Sequence, residues 1–294
     1  MAFSPFEIER IFTAMSAPSL AMIPRCDRAG QVVREGERDV QVMHNGLKVI
    51  ADGNYGQFIT QMLRQTRGVH EPQEEVAFAQ VLEHLPENAV MLEVGCYWAF
   101  YSMWAKSHLP HARLHLVEPI AARREIGEAN LALNQMHATV LPCAIGSSDA
   151  FDADFTTGNE TQQLDIRSID SVMDELKLEK LHLLHMDIQG FENQALLGAE
   201  QTLSVSAIDW LFISTHRHLE DGAHIDLHEF CREILQKHKY RIVADHTPEE
   251  SFSVDGLIVA KSKTTSGPDR ISVDVLTPAL RQGIAERTRL FEGF

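Results

Sequence analysis

The amino-acid sequence predicts an open α/β sheet with helices on both faces. From Val90 onward, short apolar runs typical of buried strands alternate with segments of helical spacing, the pattern of a mostly parallel sheet. The clearest example is residues 91–118, where one apolar run ends at Glu93 and Gly95, a helix-like segment follows, and a second apolar run ends at Glu118. A strand, a tight glycine turn, a helix and a second strand with an acid at its tip build a nucleoside pocket in such sheets.

Seven strands and five helices of this sheet can be placed along the chain. The predicted strands are short apolar runs, at 90–94, 113–117, 138–143, 181–186, 209–214, 240–245 and 256–261. The predicted helices show helical spacing of their apolar residues, near 99–107, 121–134, 168–176, 191–204 and 224–238. This order predicts a parallel sheet with crossover helices.

The chain is predicted to have three parts. Residues 1–88 form an N-terminal extension that covers the pocket, with a first helix at the capping box Ser4–Glu7 and a hairpin at Asn45-Gly46. Residues 89–262 form the sheet domain. Residues 263–294 form a tail that opens with Ser, Thr, Gly and Pro and closes with a weakly helical segment.

Composition limits the classes of function. The chain has 294 residues, 44% of them hydrophobic and 23% charged, as in an ordinary globular protein. Its formal net charge of −16 repels polyanions, which argues against a nucleic-acid partner. The four cysteines are far apart, so we expect reduced thiols and a cytoplasmic location. The absence of a long apolar run or a secretory signal predicts no membrane span, and a homo-oligomer is left open.

The glycine turn indicates which nucleoside ligand fits. Residues 95–100 read GCYWAF, so the turn lacks G-x-G-x-x-G, and the bulky Tyr97 and Trp98 leave little room for a pyrophosphate. The glycine is expected where a side chain would collide with the ligand. Glu118 can accept hydrogen bonds from both ribose hydroxyls. The pattern therefore favours a nucleoside with a charged, non-phosphate tail, such as S-adenosylmethionine, over a nicotinamide dinucleotide. The alternative is that Glu93 and Glu118 are ordinary strand-end acids.

Four short blocks carry a resemblance to a known family. They are MLEVG at 91–95, VEP at 117–119, AIG at 144–146 and HMDIQGFE at 185–192. On these blocks the chain resembles the FkbM family of S-adenosylmethionine-dependent methyltransferases, over roughly residues 70 to 262. The resemblance implies a Rossmann-like class I methyltransferase fold, with a seven-stranded, mostly parallel sheet whose last strand is antiparallel.

The sequence departs from the family pattern at three positions. Ala99 stands where the family usually has glycine, and Tyr97 replaces a residue that is commonly small or an amide. His185 replaces a usual lysine, so a group that can be neutral at pH 7 stands in place of a fixed positive charge.

The resemblance also implies a set of cofactor-binding residues. Glu93 would lie beside the methionine amino group, Glu118 would bind the ribose, and Ala144 with Ile145 would lie at the adenine. Core packing is an equal alternative for Ile145. The full predicted set is Glu93, Gly95, Cys96, Tyr97, Trp98, Glu118, Pro119, Ala144 and Ile145.

Methyl transfer to an alcohol needs an aligned nucleophile and a group that takes its proton. Asp187, at the end of the fourth strand, is the first candidate for a base, and His216 follows the next strand, so both are expected at one sheet edge. The same two residues with His185 form a candidate site for a divalent metal. A structural role is the alternative for these histidines, because the chain has 15 of them.

The methyl acceptor is predicted to be a small molecule or a glycan. Tyr55 and Glu71 of the N-terminal extension, with Gln189 and Glu192, are the candidate acceptor contacts. For Glu192 the alternative is stabilisation of the positive end of a helix. The resemblance thus implies an O-methyltransferase that acts on a hydroxyl of a sugar or secondary metabolite. A non-catalytic S-adenosylmethionine-binding or assembly protein of the same fold is the alternative.

Overall fold

The fold begins with a small N-terminal layer that precedes the main sheet. The computed structural model describes residues 3–157, 160–220 and 223–291. The N-terminal elements are helix α1 (Pro5–Met15), a short 3-10 helix (Pro18–Ala21), strands β1 (Val32–Glu35), β2 (Arg38–Val42) and β3 (Lys48–Ile50), and helices α2 (Gln57–Thr66) and α3 (Pro72–Leu82). The three strands pair antiparallel, and Asn45-Gly46 lies in the turn between β2 and β3, which confirms the predicted hairpin.

Strands and helices then alternate along the rest of the chain. The first half consists of β4 (Val90–Val94), α4 (Phe100–His108), β5 (Arg113–Val117), α5 (Ala121–Leu133), β6 (Thr139–Leu141), β7 (Ala144–Ile145), β8 (Ala150–Thr157), β9 (Glu160–Arg167) and α6 (Ile169–Glu175). The second half consists of β10 (Leu181–Met186), α7 (Glu192–Leu197), α8 (Glu200–Ser204), β11 (Ile208–Thr215), β12 (His218–Glu220), β13 (Ala223–Ile225), α9 (Leu227–Lys237), β14 (Arg241–His246), β15 (Gly256–Lys261) and α10 (Pro278–Phe291).

Seven of these strands form the central sheet, in the order β14-β15-β11-β10-β4-β5-β6. Strand β15 runs antiparallel to both of its neighbours, whereas β11, β10, β4, β5 and β6 pair in parallel. Successive residues of one strand belong to different hydrophobic clusters, as Met91 and Leu92 of β4 do, so both faces of the sheet are buried. This architecture confirms the predicted fold class.

The sequence analysis missed a second, smaller sheet beside the first. Strands β7, β9 and β8 form it, with β8 and β9 as an antiparallel hairpin. Residues 150–167 carry few apolar residues, so the sequence shows no strand pattern there. The strand predicted at 138–143 is the shorter β6 in the structure, and β7 follows it as a separate strand.

A single predicted helix at 191–204 is two short helices in the structure. The break lies at Gly198, where an added Cβ would lie only 2.1 Å from the carbonyl oxygen of Gly146. Helices α7 and α8 are therefore separated by a close backbone approach between distant parts of the chain, which helical spacing does not reveal.

The N-terminal layer shares its core with the main sheet. One hydrophobic cluster joins Met43 and Ile59 of this layer to Phe78 of α3 and to Phe100 and Trp104 of α4. The division of the chain into three parts stays a prediction.

The last helix packs back on the first one. Helices α10 and α1 are in contact, and Ala17, Phe252, Leu276 and Ile284 form a small cluster beside them. Within the ranges described above, no helix is long and apolar enough to cross a membrane.

The carboxyl ends of β4 and β10 meet at one edge of the sheet. The backbone N–H of Asp187, just after β10, donates to the carbonyl oxygen of Val94 over 3.0 Å. Gly95 follows with φ 80°, and an added Cβ there would lie 2.0 Å from the carbonyl oxygen of Asp187. The sequence predicts a collision with a ligand at this position, whereas in the structure the neighbouring strand end already requires glycine.

We expect Gly95→Ala to destabilise the protein far more than Gly36→Ala. Both glycines have positive φ, which costs an alanine about 1–2 kcal/mol, but Gly36 has no atom within 4 Å of an added Cβ. The free energy of unfolding in urea measures the difference. Equal losses for the two variants would contradict the close contact between Gly95 and Asp187.

Candidate active site

A cavity of about 680 Å³ opens at the carboxyl edge of β4, β5 and β10. Many of its lining residues are those predicted from sequence, namely Tyr55, Glu71, Glu93, Gly95, Cys96, Tyr97, Trp98, Glu118, Pro119, Ala144, Ile145, His185, Asp187 and Gln189. The other two predicted residues contact lining residues: His216 lies 2.8 Å from the side-chain amide of Gln189, and Glu192 accepts from the backbone N–H of Ile188. The structure therefore brings the predicted residues of the site together.

Tyr97 does not crowd the glycine turn, because its side chain points toward the N-terminal layer. Its hydroxyl donates to the carbonyl oxygen of Gly53 over 3.1 Å and accepts from the backbone N–H of Tyr55 at 3.3 Å. The two tyrosine rings meet edge to face at 5.4 Å, and the guanidinium of Arg123 lies 5.1 Å from the centre of the Tyr97 ring. The turn thereby holds the loop that contributes Asn54 and Tyr55 to the cavity lining.

Trp98 and Ala99 are also accommodated without blocking the turn. The ring of Trp98 packs against His70 at 5.0 Å and Phe100 at 5.4 Å, and Asn130 donates to the Trp98 carbonyl oxygen over 2.9 Å. Ala99 adopts the left-handed conformation, with φ 60°, that a glycine would adopt more easily.

Glu118 is held rigidly at the end of β5. Its two carboxylate oxygens accept from the backbone N–H groups of Tyr97 at 3.3 Å and Ile120 at 2.9 Å. Burial raises the pKa of Glu118, although these hydrogen bonds and nearby arginines oppose the rise. Each oxygen can accept a second hydrogen bond, so the carboxylate can still bind a ligand hydroxyl.

Glu93 and His185 form an uncharged wall at the deep end of the cavity. Burial raises the pKa of Glu93 to about 8, although the backbone N–H of Ser102 donates to it over 3.0 Å. Burial lowers the pKa of His185 to about 4, and its ring packs against Tyr101 at 4.4 Å and Phe212 at 5.4 Å. Neither nitrogen of His185 has a hydrogen-bond partner, and its Nδ1 lies 4.0 Å from Glu93 Oε1. Both groups can therefore still take a polar ligand.

The small second sheet supplies one side of the cavity. Ala144 and Ile145 of β7 line it, together with Phe155 of β8 and Phe191 just before α7. The rings of Phe155 and Phe191 are 5.6 Å apart. The sequence analysis assigned neither phenylalanine to the site, and it missed Phe155 because it detected no strand at β8.

His216 lies among three carboxylates behind the outer wall. Its Nδ1 is 2.7 Å from Glu192 Oε1, while its Nε2 is 3.3 Å from Asp187 Oδ1 and 3.6 Å from Asp255 Oδ1. The side-chain amide of Gln189 donates to Asp187 Oδ1 over 3.1 Å and lies 2.8 Å from the same His216 nitrogen. The sequence analysis missed Asp255, which precedes β15.

These contacts set the charges of the cluster. Burial lowers the pKa of His216, but the surrounding carboxylates outweigh it and raise the pKa well above its usual value. Burial raises the pKa of Asp187, yet its hydrogen bond to His216 and the charge of that ring bring it to about 2. Burial raises the pKa of Asp255 to about 6, against the charge of His216. Asp187 and His216 thus each shift the pKa of the other toward its charged form.

The described residues do not form the predicted metal site. His185 is enclosed by aromatic rings, whereas Asp187 pairs with His216. Across residues 3–157, 160–220 and 223–291, no group of three or more His, Cys, Asp or Glu side chains is arranged to hold a metal ion.

Glu71 is buried at the side of the cavity formed by the N-terminal layer. The hydroxyl of Tyr101 donates to it over 3.2 Å, His70 Nδ1 lies at 3.3 Å, and the guanidinium of Arg10 lies at 3.5 Å. Burial raises the pKa of Glu71, but His70 and Arg10 outweigh burial and lower it. Arg10 lies on the first helix of the chain, and no sequence motif predicts its contact with Glu71.

Comparison with known proteins identifies distant relatives. A curated protein of Pseudomonas aeruginosa, the AMB antimetabolite synthetase AmbE, is 24% identical over 255 residues; the match covers 69% of this chain and 11% of that protein. The precorrin-6y C5,15-methyltransferase of Geobacter metallireducens is 15% identical, with a TM-score of 0.42, over 64% of this chain and 87% of that chain. The ribosomal protein L11 methylase of Lactobacillus delbrueckii is 12% identical, with a TM-score of 0.42, over 66% of this chain and 80% of that one.

A family model decides the assignment. The model described as the methyltransferase FkbM domain matches residues 76–242, more than half of the chain. The matched region contains Glu93, Glu118, Asp187 and His216. The chain therefore belongs to the FkbM methyltransferase family.

Proposed function

We propose that the protein methylates a hydroxyl oxygen of a small sugar or secondary metabolite and that Asp187 and His216 handle the proton. The observation that carries this proposal is the contact between Asp187 Oδ1 and His216 Nε2, 3.3 Å apart, at the wall of the cavity. A volume of about 680 Å³ is in the usual range for small-molecule sites, about 300–1,000 Å³. Three predictions about partners remain: the acceptor is a small molecule or a glycan, nucleic acid is not a partner, and the protein can form a homo-oligomer.

The residues at the deep end fit S-adenosylmethionine. Glu118 would bind the ribose hydroxyls, and Ala144 with Phe155 would border the adenine. Glu93 would contact the methionine ammonium. Burial raises the pKa of this carboxyl, and a ligand cation beside it would stabilise its ionised form. His185, with two unpartnered nitrogens, can complete the contacts of the methionine end.

When bound, S-adenosylmethionine supplies a methyl group that its sulfonium already activates. The chain's own residues must then align the acceptor hydroxyl and take its proton. The hydroxyl becomes far more acidic while its new C–O bond forms, so a weak base is sufficient. Asp187 can serve as that base although its pKa is only about 2.

His216 keeps Asp187 ionised and in place. Glu192 Oε1 anchors the Nδ1 side of the ring at 2.7 Å, so the Nε2 side faces Asp187. Gln189 donates to the same Asp187 oxygen and limits the rotation of the carboxylate. Glu192 and His216 therefore act on the acceptor through Asp187.

We expect Glu118→Ala to weaken binding of S-adenosylmethionine by about 10- to 100-fold, since two hydrogen bonds to a charged group are lost. Isothermal titration calorimetry measures the affinity. Glu128→Ala, at an exposed position of α5, is the control and should bind normally. An unchanged affinity in Glu118→Ala would remove the proposed ribose contact.

We expect Asp187→Asn to lower kcat for methyl transfer by about 100-fold or more, because the base is lost while the cofactor contacts remain. Transfer of labelled methyl groups to a library of hydroxyl compounds, scored by mass spectrometry, measures the rate. Asp174→Asn, an exposed position on α6, serves as the control. Tight cofactor binding without any product in the unaltered protein would instead favour the non-catalytic alternative.

We expect Glu93→Gln to stabilise the unliganded protein increasingly as pH rises. The folded-state pKa of about 8 lies above the usual 4.5, so the carboxyl's contribution to stability is fully present below pH 4.5 and is lost as pH rises through about 8. That loss amounts to about 1.4 kcal/mol per pH unit in this window. Urea unfolding at pH 5.5 and 7.5 should show the variant's advantage growing by about 2 kcal/mol. A constant difference between the two pH values would disprove the raised pKa.

A further inference from the structure

We infer that the methyl acceptor carries an aromatic ring beside its reacting hydroxyl and that this ring lies at the cavity mouth between Phe6, Tyr55 and Val254. The inference rests on the proposed O-methyl transfer and names the acceptor class for that same site. It follows from the position, the backbone conformation and the surroundings of these three side chains.

The cavity changes character from its deep end to its mouth. At the deep end, Glu93 and His185 are both only 2% exposed. At the mouth, the apolar side chains are uncovered: Phe6 is 63% exposed, Tyr55 51% and Val254 38%. Single exposed apolar residues are common, but three around one opening indicate a ligand that covers them.

Two of the three rim residues have an unfavourable backbone conformation. Tyr55 has φ 48° and Val254 has φ 70°, in the left-handed region that favours glycine. For a β-branched residue such as valine this is an outlier, and such strain is concentrated at ligand clamps and active sites. The fold thus maintains these two apolar side chains in the cavity lining at a cost in local stability.

Neighbouring groups hold both strained residues in place. The backbone N–H of Tyr55 donates to the Tyr97 hydroxyl over 3.3 Å, and the two rings are in edge-to-face contact. Next to Val254, the hydroxyl of Ser253 lies 3.2 Å from buried Glu74 Oε1 and 3.2 Å from the carbonyl oxygen of Asp255. The rim is therefore preorganised, which lowers the entropy cost of binding a rigid ligand.

Polar groups just inside the rim favour hydrogen-bond donors on the ligand. Asn54 lines the cavity, is 6% exposed, and its Oδ1 has no hydrogen-bond partner. Asp255 and Asp187 also face this space as hydrogen-bond acceptors. Burial and the charge of Asp187 raise the pKa of Tyr55 to about 12, so its hydroxyl stays protonated. A ligand hydroxyl that donates to Asp187 fits this inner wall.

An aromatic ring fits the rim better than a sugar does. A planar ring can contact Tyr55 and Phe6 in offset or edge-to-face geometry and pack its edge on Val254. A sugar could stack one face on an aromatic ring, but its remaining hydroxyls would meet Val254 and Phe6, which offer no partner. The acceptor class that satisfies both the inner wall and the rim is an aryl alcohol or a phenol.

The rim lies outside the part of the chain that the family shares. Phe6, Tyr55 and Val254 all fall outside residues 76–242. Substrate contacts that differ among proteins of one fold are commonly carried by loops and added segments. The acceptor preference is therefore a property of this chain's own extensions.

The test is titration of 2-naphthol, a planar aryl alcohol, into protein saturated with S-adenosylhomocysteine, followed by fluorescence. We expect saturable binding at one site, at least about tenfold tighter than binding of cyclohexanol measured by competition. Tyr55→Ala and Val254→Gly should each weaken 2-naphthol binding by about tenfold. Glycine adopts φ 70° without strain, so Val254→Gly removes the apolar contact and leaves the fold intact.

The matched control is Val205→Ala, a valine 74% exposed on a surface away from the cavity lining. It should bind 2-naphthol as the unaltered protein does. No saturable binding, equal affinity for cyclohexanol, or unchanged affinity in both rim variants would overturn the inference. Calorimetry with S-adenosylhomocysteine comes first: failure at that step refutes the proposed function, whereas failure with 2-naphthol alone refutes only the acceptor class.

Discussion

The contact between the ends of β4 and β10 holds the two halves of the site together. The carbonyl oxygen of Asp187 lies 2.0 Å from where a Cβ on Gly95 would be, and the Asp187 N–H donates to Val94 over 3.0 Å. This approach fixes the glycine turn, which lines the cavity, relative to the carboxylate proposed to take the proton. Methyl transfer requires the donor and the acceptor to be aligned, so the position of Asp187 matters as much as its charge.

Charge is distributed unevenly along the cavity. At the deep end, burial keeps Glu93 protonated and His185 neutral near pH 7, which avoids the cost of an unpaired buried charge. At the outer wall, Asp187 and His216 each shift the pKa of the other toward its charged form. The deep end is therefore suited to a ligand that brings its own cation, and the outer wall to proton transfer.

Much of the fold and part of the site could be predicted from local patterns. Buried parallel strands are short apolar runs, and crossover helices repeat their apolar residues at helical spacing, so the positions of the sheet strands along the chain followed from the sequence. The residues just after parallel strands share one sheet edge, which is why Glu118, Asp187 and His216 could be expected near each other. The hairpin of β8 and β9 was not predicted, because its strands are mostly polar.

The sequence by itself determined the sheet, the family and the strand-end acids, because each depends on neighbours within about one element. Only the tertiary structure decided how the loop at Gly53 meets the glycine turn, through a hydrogen bond from Tyr97, which is far from Gly53 in the chain. It also added Asp255 to the His216 cluster and placed His185 in an aromatic enclosure instead of a metal site. Such contacts join loops and side chains from distant segments of the chain. Loops have no periodic pattern of apolar residues, so the sequence does not predict these contacts.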